Sequence, residues 1–303
     1  CCTVRALWAS LSCRFDGMRR FPLSRMVVGL HEFSSAGTAK VALIDDAQGF
    51  DPTRFGLSNS EAEHMDPHQR LALEASLEAL TESHGLETKY TGVYVGVQNA
   101  AFMAFPRFDA DSPYIATGAN LAIVSNRVAH LLGFVGPAQS INTACSSSLV
   151  ALDAACKGLA GGDCDQVVVV GVELALEAGG HLAVMLSPNG RCATFTSEAD
   201  GFARGEGCGA MVLTPNDDSA TASSSWGMVL SAAVNQDGRS ATLTAPNGPS
   251  QEAVIRLAVQ RAGITPDSVG YLEAHGTGTA LGDPQEVKAL SNVFRARSCA
   301  PPL

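Results

Sequence analysis

Apolar positions in the first half of the chain switch between the spacing of helices and that of strands. The pair Asp66-Pro67 is typical of a helix start, and apolar residues at helical spacing follow it as far as Glu82. The short apolar run Gly92–Val97 predicts a buried strand, and residues Asn120–Leu132 predict another helix. A strand therefore lies between two helices in this region.

The same alternation continues towards the end of the chain. The extended stretch Gln139–Ala144 runs directly into Cys145, and Leu149–Leu159 has helical spacing. The later predicted elements are a helix and four strands, at Gln251–Ala262 and at Val167–Val170, Gly209–Leu213, Gly227–Val234 and Val269–Glu273. Strands that alternate with helices predict an α/β architecture.

The composition narrows the class of protein. The chain has 303 residues, 46% of them hydrophobic, which is enough for a continuous core. A net charge of −10 argues against nucleic-acid binding, which needs clustered basic residues. Nine cysteines without a framework spacing indicate reduced thiols. The reduced thiols indicate an intracellular protein, of the cytoplasm or, in an alga, of the plastid. No segment reaches membrane-spanning length without a charge or a glycine break.

Cys145 is the residue with the clearest chemical potential. It follows a predicted strand and is the expected first residue of a helix, near unpaired backbone N–H groups and a partial positive charge, which favour the thiolate. The same N–H groups can hold the oxyanion formed when a thioester is attacked. The alternative is a buried structural cysteine, which is the commoner role of a free thiol.

Five motifs in a fixed order carry a resemblance to a known family. The segment NTACSSSLVAL, residues 142–152, closely resembles the nucleophile motif of β-ketoacyl synthases. Four further stretches resemble the same family: DPHQRLALE from Asp66, DGFARGEGCG from Asp200, VNQDGRSATLTAPNGP from Val234, and EAHGTGTALGDPQE from Glu273. The VNQDG and TAPNGP pieces are most similar to the ketosynthase domains of modular type I polyketide synthases.

The resemblance implies a fold and a division of the chain. The fold is thiolase-like, a layered αβαβα arrangement of two related α/β halves, usually in a homodimer. The Ser/Thr/Ala-rich stretch Asn216–Ser225 separates residues 1–215, the expected first half, from residues 226–303, the expected second half. The resemblance also implies that the domain itself binds no cofactor. Its substrates arrive on the phosphopantetheine arm of an acyl carrier protein, and neighbouring polyketide synthase domains are further partners.

The resemblance also implies residue roles in a decarboxylative Claisen condensation. Cys145 is the expected nucleophile that takes the acyl chain, and His275 is the first of two histidines that assist decarboxylation of a malonyl-type extender. Thr277 and Thr279 match positions that hydrogen-bond the pantetheine arm. A cysteine suits thioester exchange, and an imidazole N–H suits the enolate-like charge that decarboxylation produces.

The chain departs from the family pattern at several places. After Leu290 no counterpart follows for the second histidine, in its Lys/Asn/Gly/His motif, or for the glycine-rich oxyanion loop. We therefore expect an incomplete second half and a chain that at most self-acylates at Cys145. Asn142 stands where the family usually has Asp, and His68 where it often has Gln. The opening ALWASLSCRFDG resembles the family's first strand, and the helix expected after it is missing between Gly17 and Phe21.

Two other functions compete with condensation. A non-condensing relative would keep the fold as a binding or scaffold domain, and a cysteine hydrolase would use Cys145 and His275 without holding a stable adduct. The glycine-rich segment 205–209 precedes a strand and therefore does not predict a dinucleotide site. No cluster with the spacing of a zinc site is present. The remaining cysteines considered are expected to be packing residues: Cys13, Cys156, Cys164, Cys192 and Cys208.

Overall fold

A computed structural model describes residues 3–22, 40–83, 88–98, 102, 112–176, 184–216 and 225–294. Its helices are α1 Val4–Ser12, α2 Asn59–His64, α3 Pro67–Glu82, α4 Ile115–Gly118, α5 Ala122–Leu132, α6 Ser147–Gly161, α7 Gly248–Arg261 and α8 Gly282–Phe294. Its strands are β1 Met18–Arg20, β2 Lys40–Ala42, β3 Thr91–Val97, β4 Ala138–Ile141, β5 Gln166–Glu173, β6 Arg204–Gly205 and β7 Gly207–Leu213. Short 3-10 turns cover Pro52–Phe55 and Pro266–Ser268.

A four-stranded sheet with the order β4-β3-β5-β7 forms the centre of the described structure. Strand β3 is parallel to both β4 and β5, whereas β7 runs antiparallel to β5. All seven residues of β3 are buried, as expected for a strand that is covered on both faces. The carboxyl ends of the three parallel strands therefore meet at one edge, which is where ligand sites of such sheets form.

Helices cover both faces of this sheet. On one face, α3 and α5 pack with valines of β3 and β5 in a core that includes Leu73, Val95 and Val128, each fully buried. On the other face, α6 packs against Tyr94 and Val167 through its small residues, among them Ala151 and Ala155. The result is the helix–sheet–helix layering that the alternating sequence pattern predicts.

A second, three-stranded sheet has the order β1-β2-β6, with β1 antiparallel and β6 parallel to the middle strand β2. Glu206, just after β6, holds this sheet to the end of the central one. Its carboxylate accepts the N–H groups of Ile44 at 2.8 Å and Ala175 at 3.1 Å. The chain that leaves β5 is thus fixed to the smaller sheet.

Some predicted elements are correct to within a few residues, and others are wrong. Helix α3 begins at Pro67 with Asp66 as its N-cap, and α5 ends at Leu132, both as predicted. Gly133, the C-cap of α5, has the left-handed conformation. The opening segment is helix α1 and not the expected strand, because its apolar residues recur at helical spacing from Val4 to Leu11.

The predicted strands Gly227–Val234 and Val269–Glu273 are not strands within the described residues. Neither segment pairs with a described strand, and Met228 and Tyr271 are 61% and 77% exposed. Helix α7 lies between these two segments in the sequence and packs against α8. An apolar strand pattern becomes a strand only where a neighbouring backbone accepts its hydrogen bonds, and sequence pattern alone does not supply that neighbour.

Candidate active site

The turn that carries Cys145 connects β4 to α6. Helix α6 begins at Ser147, with Ser146 as its N-cap, so Cys145 lies just outside the helix and not at its first position. Ala144 has a φ of +57°, an uncommon conformation for a residue with a Cβ atom. This left-handed residue turns the chain sharply between strand and helix. Cys145 is exposed at the outside of the turn.

Side-chain hydrogen bonds hold this cysteine turn, residues 142–146. Ser147 Oγ accepts the N–H of Thr143 at 2.9 Å and donates to the carbonyl oxygen of Ala144 at 2.6 Å. Ser146 Oγ donates to the carbonyl oxygen of Thr143 at 2.9 Å. The serines that follow the cysteine therefore fix the turn, and their small size leaves Cys145 accessible.

Two glycines allow α6 to approach the sheet directly behind Cys145. A Cβ atom at Gly96 of β3 would lie 2.5 Å from Ser148 N and 2.6 Å from the carbonyl carbon of Ser147. A Cβ atom at Gly171 of β5 would lie 2.9 Å from Ser148 Cβ. The start of α6 thus rests on backbone, at the carboxyl ends of β3 and β5.

The electrostatics of the cysteine turn favour a negative charge. Helix α6 is 15 residues long and has no acidic residue in its first turn, so its positive end faces the cysteine turn without neutralisation. Among the described residues, no group accepts a hydrogen bond from Cys145 N–H. That N–H is available to an oxyanion beside the sulfur.

His275, Thr277 and Thr279 lie together in the histidine loop, residues 275–281, which leads into α8. The backbone N–H of His275 donates to Glu286 Oε1 at 2.7 Å, and its ring is exposed without a hydrogen bond to any described residue. The hydroxyls of Thr277 and Thr279 are 3.2 Å apart, and Thr279 Oγ1 also accepts the N–H of Gly282 at 3.1 Å.

Two carboxylates that the sequence reasoning did not single out hold this loop. Glu286 receives the N–H groups of both His275 and Gly276, the second at 2.9 Å. Asp283 is 4% exposed and receives Gly278 N–H at 3.1 Å and Phe195 N–H at 2.8 Å. Both residues belong to the motif EAHGTGTALGDPQE, and their place in that motif was the sequence signal that could have identified them.

The histidine loop packs against the segment that follows residue 190. Thr194 Oγ1 donates to the carbonyl oxygen of Gly276 at 2.5 Å, and Gly201 N–H donates to that of Gly278 at 3.0 Å. A Cβ atom at Gly278 would lie 2.8 Å from Ala193 N. Gly278, with φ +73°, therefore fits only without a side chain. The loop that carries His275 is docked onto the first half of the chain.

The predicted site residues thus fall into two groups. Cys145 lies in the cysteine turn, and the other three, His275, Thr277 and Thr279, lie in the histidine loop. Within the described ranges, no hydrogen bond joins Cys145 to any residue of the other group. Two cysteines that were expected to pack, Cys13 and Cys192, are exposed, and both lie outside the helices and strands. Cys164 is buried as predicted, and Cys156 and Cys208 are partly buried.

His68, which stands where the family often has Gln, takes part in a buried chain of hydrogen bonds. The ring is fully buried, with Nδ1 2.7 Å from Asp66 Oδ1 and Nε2 accepting the N–H of Leu174 at 3.0 Å. Leu174 follows β5 directly. His68 therefore links the start of α3 to the chain beyond β5.

Two further properties concern ligands and membranes. Among the residues that the structure describes, no three His, Cys, Asp or Glu side chains lie close enough together to hold a metal ion. None of the helices in the described ranges combines the length and the apolar character needed to cross a membrane.

Comparison with known proteins identifies the family. Residues 2–219 match the β-ketoacyl synthase N-terminal domain, and residues 226–302 match the β-ketoacyl synthase C-terminal domain. The chain is 40% identical over 304 aligned positions to a type I polyketide synthase of phenolphthiocerol synthesis from Mycobacterium bovis. It is 40% identical over 264 residues to a mycocerosic acid synthase-like polyketide synthase of Mycolicibacterium smegmatis.

These two matches cover 95% and 84% of the chain but only 14% and 12% of the length of the respective relatives. Among solved structures, the ketosynthase from module 6 of the bacillaene synthase of Bacillus subtilis superposes with a TM-score of 0.85 at 35% identity, over 97% of this chain and 52% of that one. The thiolase-like α/β fold is thereby confirmed. The chain belongs to the β-ketoacyl synthase family, as a ketosynthase domain of the kind found in modular type I polyketide synthases.

Proposed function

We propose that Cys145 is the acyl-accepting nucleophile of a decarboxylative condensation in polyketide or fatty acid biosynthesis. The observation that carries this proposal is the exposed thiol on a left-handed turn at the start of α6. In the first step the Cys145 sulfur attacks the thioester carbonyl of a carrier-bound acyl group. The acyl–sulfur bond to the carrier breaks, the Cys145 thioester forms, and the carrier's thiol leaves with a proton.

The backbone geometry supports this step. The N–H of Cys145 is available to the oxyanion of the tetrahedral intermediate, and the positive end of α6 stabilises both that oxyanion and the thiolate. A soft sulfur nucleophile exchanges acyl groups between thioesters at little cost in free energy, since the bond broken and the bond formed are of the same kind. Cys145 therefore combines the sulfur nucleophile and the oxyanion donor that transthioesterification requires.

We propose that His275 assists decarboxylation of the extender unit. When malonyl thioester loses carbon dioxide, negative charge develops on the thioester oxygen, and an imidazole N–H is a suitable donor to it. The ring of His275 is exposed, while its backbone is held by Glu286. This combination of a fixed backbone and an unengaged ring supports the assignment.

Thr277 and Thr279 are proposed to bind the phosphopantetheine arm that delivers both substrates. Thr279 Oγ1 already accepts the N–H of Gly282, which leaves its hydroxyl hydrogen for Thr277 or for the amide carbonyls of the arm. An acyl carrier protein and the neighbouring synthase domains are accordingly the proposed partners.

We further propose a homodimer and a division into two halves, residues 1–215 and 226–303. Strand β4, which leads to the cysteine turn, is at the edge of the sheet and pairs with β3 alone among the described strands. An open edge of this kind supports pairing with a second copy. The two family matches meet between residues 219 and 226, which supports the division. Sedimentation equilibrium tests the dimer, and a monomer at micromolar concentration would contradict it.

The reaction itself is tested by incubating the 303-residue chain with an acyl and a malonyl carrier protein. We expect a stable acyl-enzyme at Cys145, and loss of carbon dioxide from the malonyl group that depends on His275. Absence of any acyl-enzyme would favour a scaffold role, and steady hydrolysis would favour a hydrolase.

A further inference from the structure

Phe195 combines an exposed aromatic ring with a strained backbone. Its φ is +58°, in the left-handed region that disfavours residues with a Cβ atom, and the residue is 52% exposed. A turn closed by a hydrogen bond from Thr196 N–H to the carbonyl oxygen of Ala193, at 3.3 Å, holds it there. Since an exposed ring contributes little apolar burial to offset this strain, the stability of the fold does not explain a phenylalanine at this position.

The carboxylate that holds this strained residue also holds the histidine loop. Asp283, which is 4% exposed, accepts the N–H of Phe195 through Oδ2 at 2.8 Å and that of Gly278 through Oδ1 at 3.1 Å. The two oxygens of one buried side chain therefore fix Phe195 relative to the loop that carries His275. Strained residues persist where their surroundings determine them, and they cluster at functional sites.

The ring of Phe195 lies beside the glycine that follows His275. A Cβ atom built at Gly276 would lie 3.7 Å from Cζ of Phe195 and 2.8 Å from Cγ2 of Thr194. Thr194 Oγ1 also donates to the carbonyl oxygen of Gly276 at 2.5 Å, which fixes the distance between the two segments. The aromatic ring therefore borders the part of the histidine loop between His275 and Thr277.

From this juxtaposition we infer that Phe195 is a binding residue for the phosphopantetheine arm, whose apolar groups pack on its ring. The arm alternates amides with methylene groups and carries a dimethyl group, so it needs apolar contacts as well as hydrogen bonds. An aromatic ring offers a large apolar surface at a small cost in conformational entropy. The inference rests on the proposed delivery of substrates on this arm, and it adds the apolar contact that the hydroxyls of Thr277 and Thr279 do not supply.

Three substitutions separate the ring from the backbone strain. Phe195→Ala and Phe195→Gly both remove the ring, but only glycine relieves the strain. We expect both to slow acylation of Cys145 by an acyl-pantetheine about tenfold, although the glycine variant should unfold at a higher temperature than the alanine variant. Phe195→Leu keeps an apolar side chain, so its rate should fall by less than about threefold. A purely structural role would instead make the acylation rate follow the unfolding temperature.

Arg14 supplies a matched control for the backbone. It is exposed and has a φ of +54°, and no hydrogen bond among the described residues joins it to the histidine loop. Arg14→Gly should therefore raise the unfolding temperature without changing the acylation rate. A second substrate supplies the control for the arm. An acyl N-acetylcysteamine thioester lacks the β-alanyl and pantoyl groups, so loss of the ring should slow its reaction by less than about threefold.

Binding of the arm is also measured without the reaction, by saturation-transfer NMR of free pantetheine with the Cys145→Ala chain. The signal of the dimethyl group should fall when Phe195→Gly is added. A chain that is not acylated but still shows this dependence would count against the proposed function alone. Should Phe195→Ala fail to fold, Phe195→Gly decides. Equal losses with both thioesters, or acylation and NMR signals that do not change, overturn the inference. A change of oligomeric state with unchanged acylation would assign the ring to a protein interface and overturn it too.

Discussion

At the scale of single residues, position in the fold separates cysteines that have the same intrinsic chemistry. Cys145 is exposed on its turn, whereas Cys208 lies in β7 with its thiol donating to the carbonyl oxygen of Leu71 at 3.5 Å. Burial raises the pKa of the Cys208 thiol to about 12. Only the first of these thiols is placed to react at neutral pH.

We therefore predict that iodoacetamide at about pH 8 modifies Cys145 and spares Cys208 in the folded chain. With a pKa of about 12, roughly one Cys208 thiol in ten thousand is ionised at that pH. Peptide mapping after a short pulse measures both sites. The urea-unfolded chain is the control, and there Cys208 should be labelled readily. Equal labelling of the two sites in the folded chain would contradict the prediction.

A second residue-scale prediction concerns Glu173 at the end of β5. Glu173 Oε1 accepts a hydrogen bond from Arg204 Nη2 at 3.4 Å, whereas Oε2 is buried without a hydrogen-bond partner among the described residues. Burial raises the pKa of this carboxyl. Between the ordinary glutamate pKa and the raised one, the folded chain binds more protons than the unfolded chain. Stability due to this group therefore falls as the pH rises through that window.

Glu173→Gln removes this titration. We expect the variant and the unsubstituted chain to have similar urea midpoints near about pH 4, and the variant to become relatively more stable as the pH rises to about 7. The exposed Glu63, changed to Gln, is the control and should produce no such trend. A variant that loses stability relative to the unsubstituted chain as the pH rises would contradict this account.

At the scale of elements, the site depends on how closely α6 approaches the sheet. Gly96 and Gly171 remove the side chains that would otherwise stand between β3, β5 and the first turn of α6. The helix start is thereby held over the carboxyl ends of the strands, with Cys145 immediately before it. The position of the cysteine is a consequence of strand–helix packing as well as of its own turn.

Adding one methyl group at Gly96 tests this packing. We expect Gly96→Ala to destabilise the fold by about 1–3 kcal/mol and to slow alkylation of Cys145, because the new Cβ meets the backbone of Ser147 and Ser148. Gly209→Ala in β7 is the matched control, since apart from its two chain neighbours no described residue has an atom within 4 Å of the added Cβ. Chemical unfolding and alkylation rates measure both effects. Similar behaviour of the two variants would disprove the packing argument.

At the scale of the whole molecule, local sequence signals predicted the central layers well. The cap at Asp66 and the valine-rich run of β5 each specify an element through neighbours in sequence, and both elements are present. The sequence also predicts the turn between strand and helix, although α6 begins at Ser147, two residues after Cys145. These features depend on local capping, periodicity and turn chemistry, which one sequence contains.

Features that depend on distant backbone were missed. Asp283 binds the N–H of Phe195, 88 positions away, and Asn142 binds Gln98, 44 positions away. Neither contact can be predicted from the periodicity of apolar residues or from the spacing of motifs in the sequence. The opening motif resembles the family's first strand, whereas the helical spacing of its apolar residues agrees with helix α1. Long-range hydrogen bonds and strand partners are decided by the tertiary structure.

The central claim, that Cys145 accepts an acyl chain, is tested most directly by a pulse of acyl N-acetylcysteamine thioester followed by intact mass and peptide mapping. The account predicts one stable adduct of the acyl mass on the peptide that contains Cys145, absent in Cys145→Ala and unchanged in Cys192→Ala, which removes another exposed thiol. An adduct that persists in Cys145→Ala, or a folded chain that forms none, would contradict it.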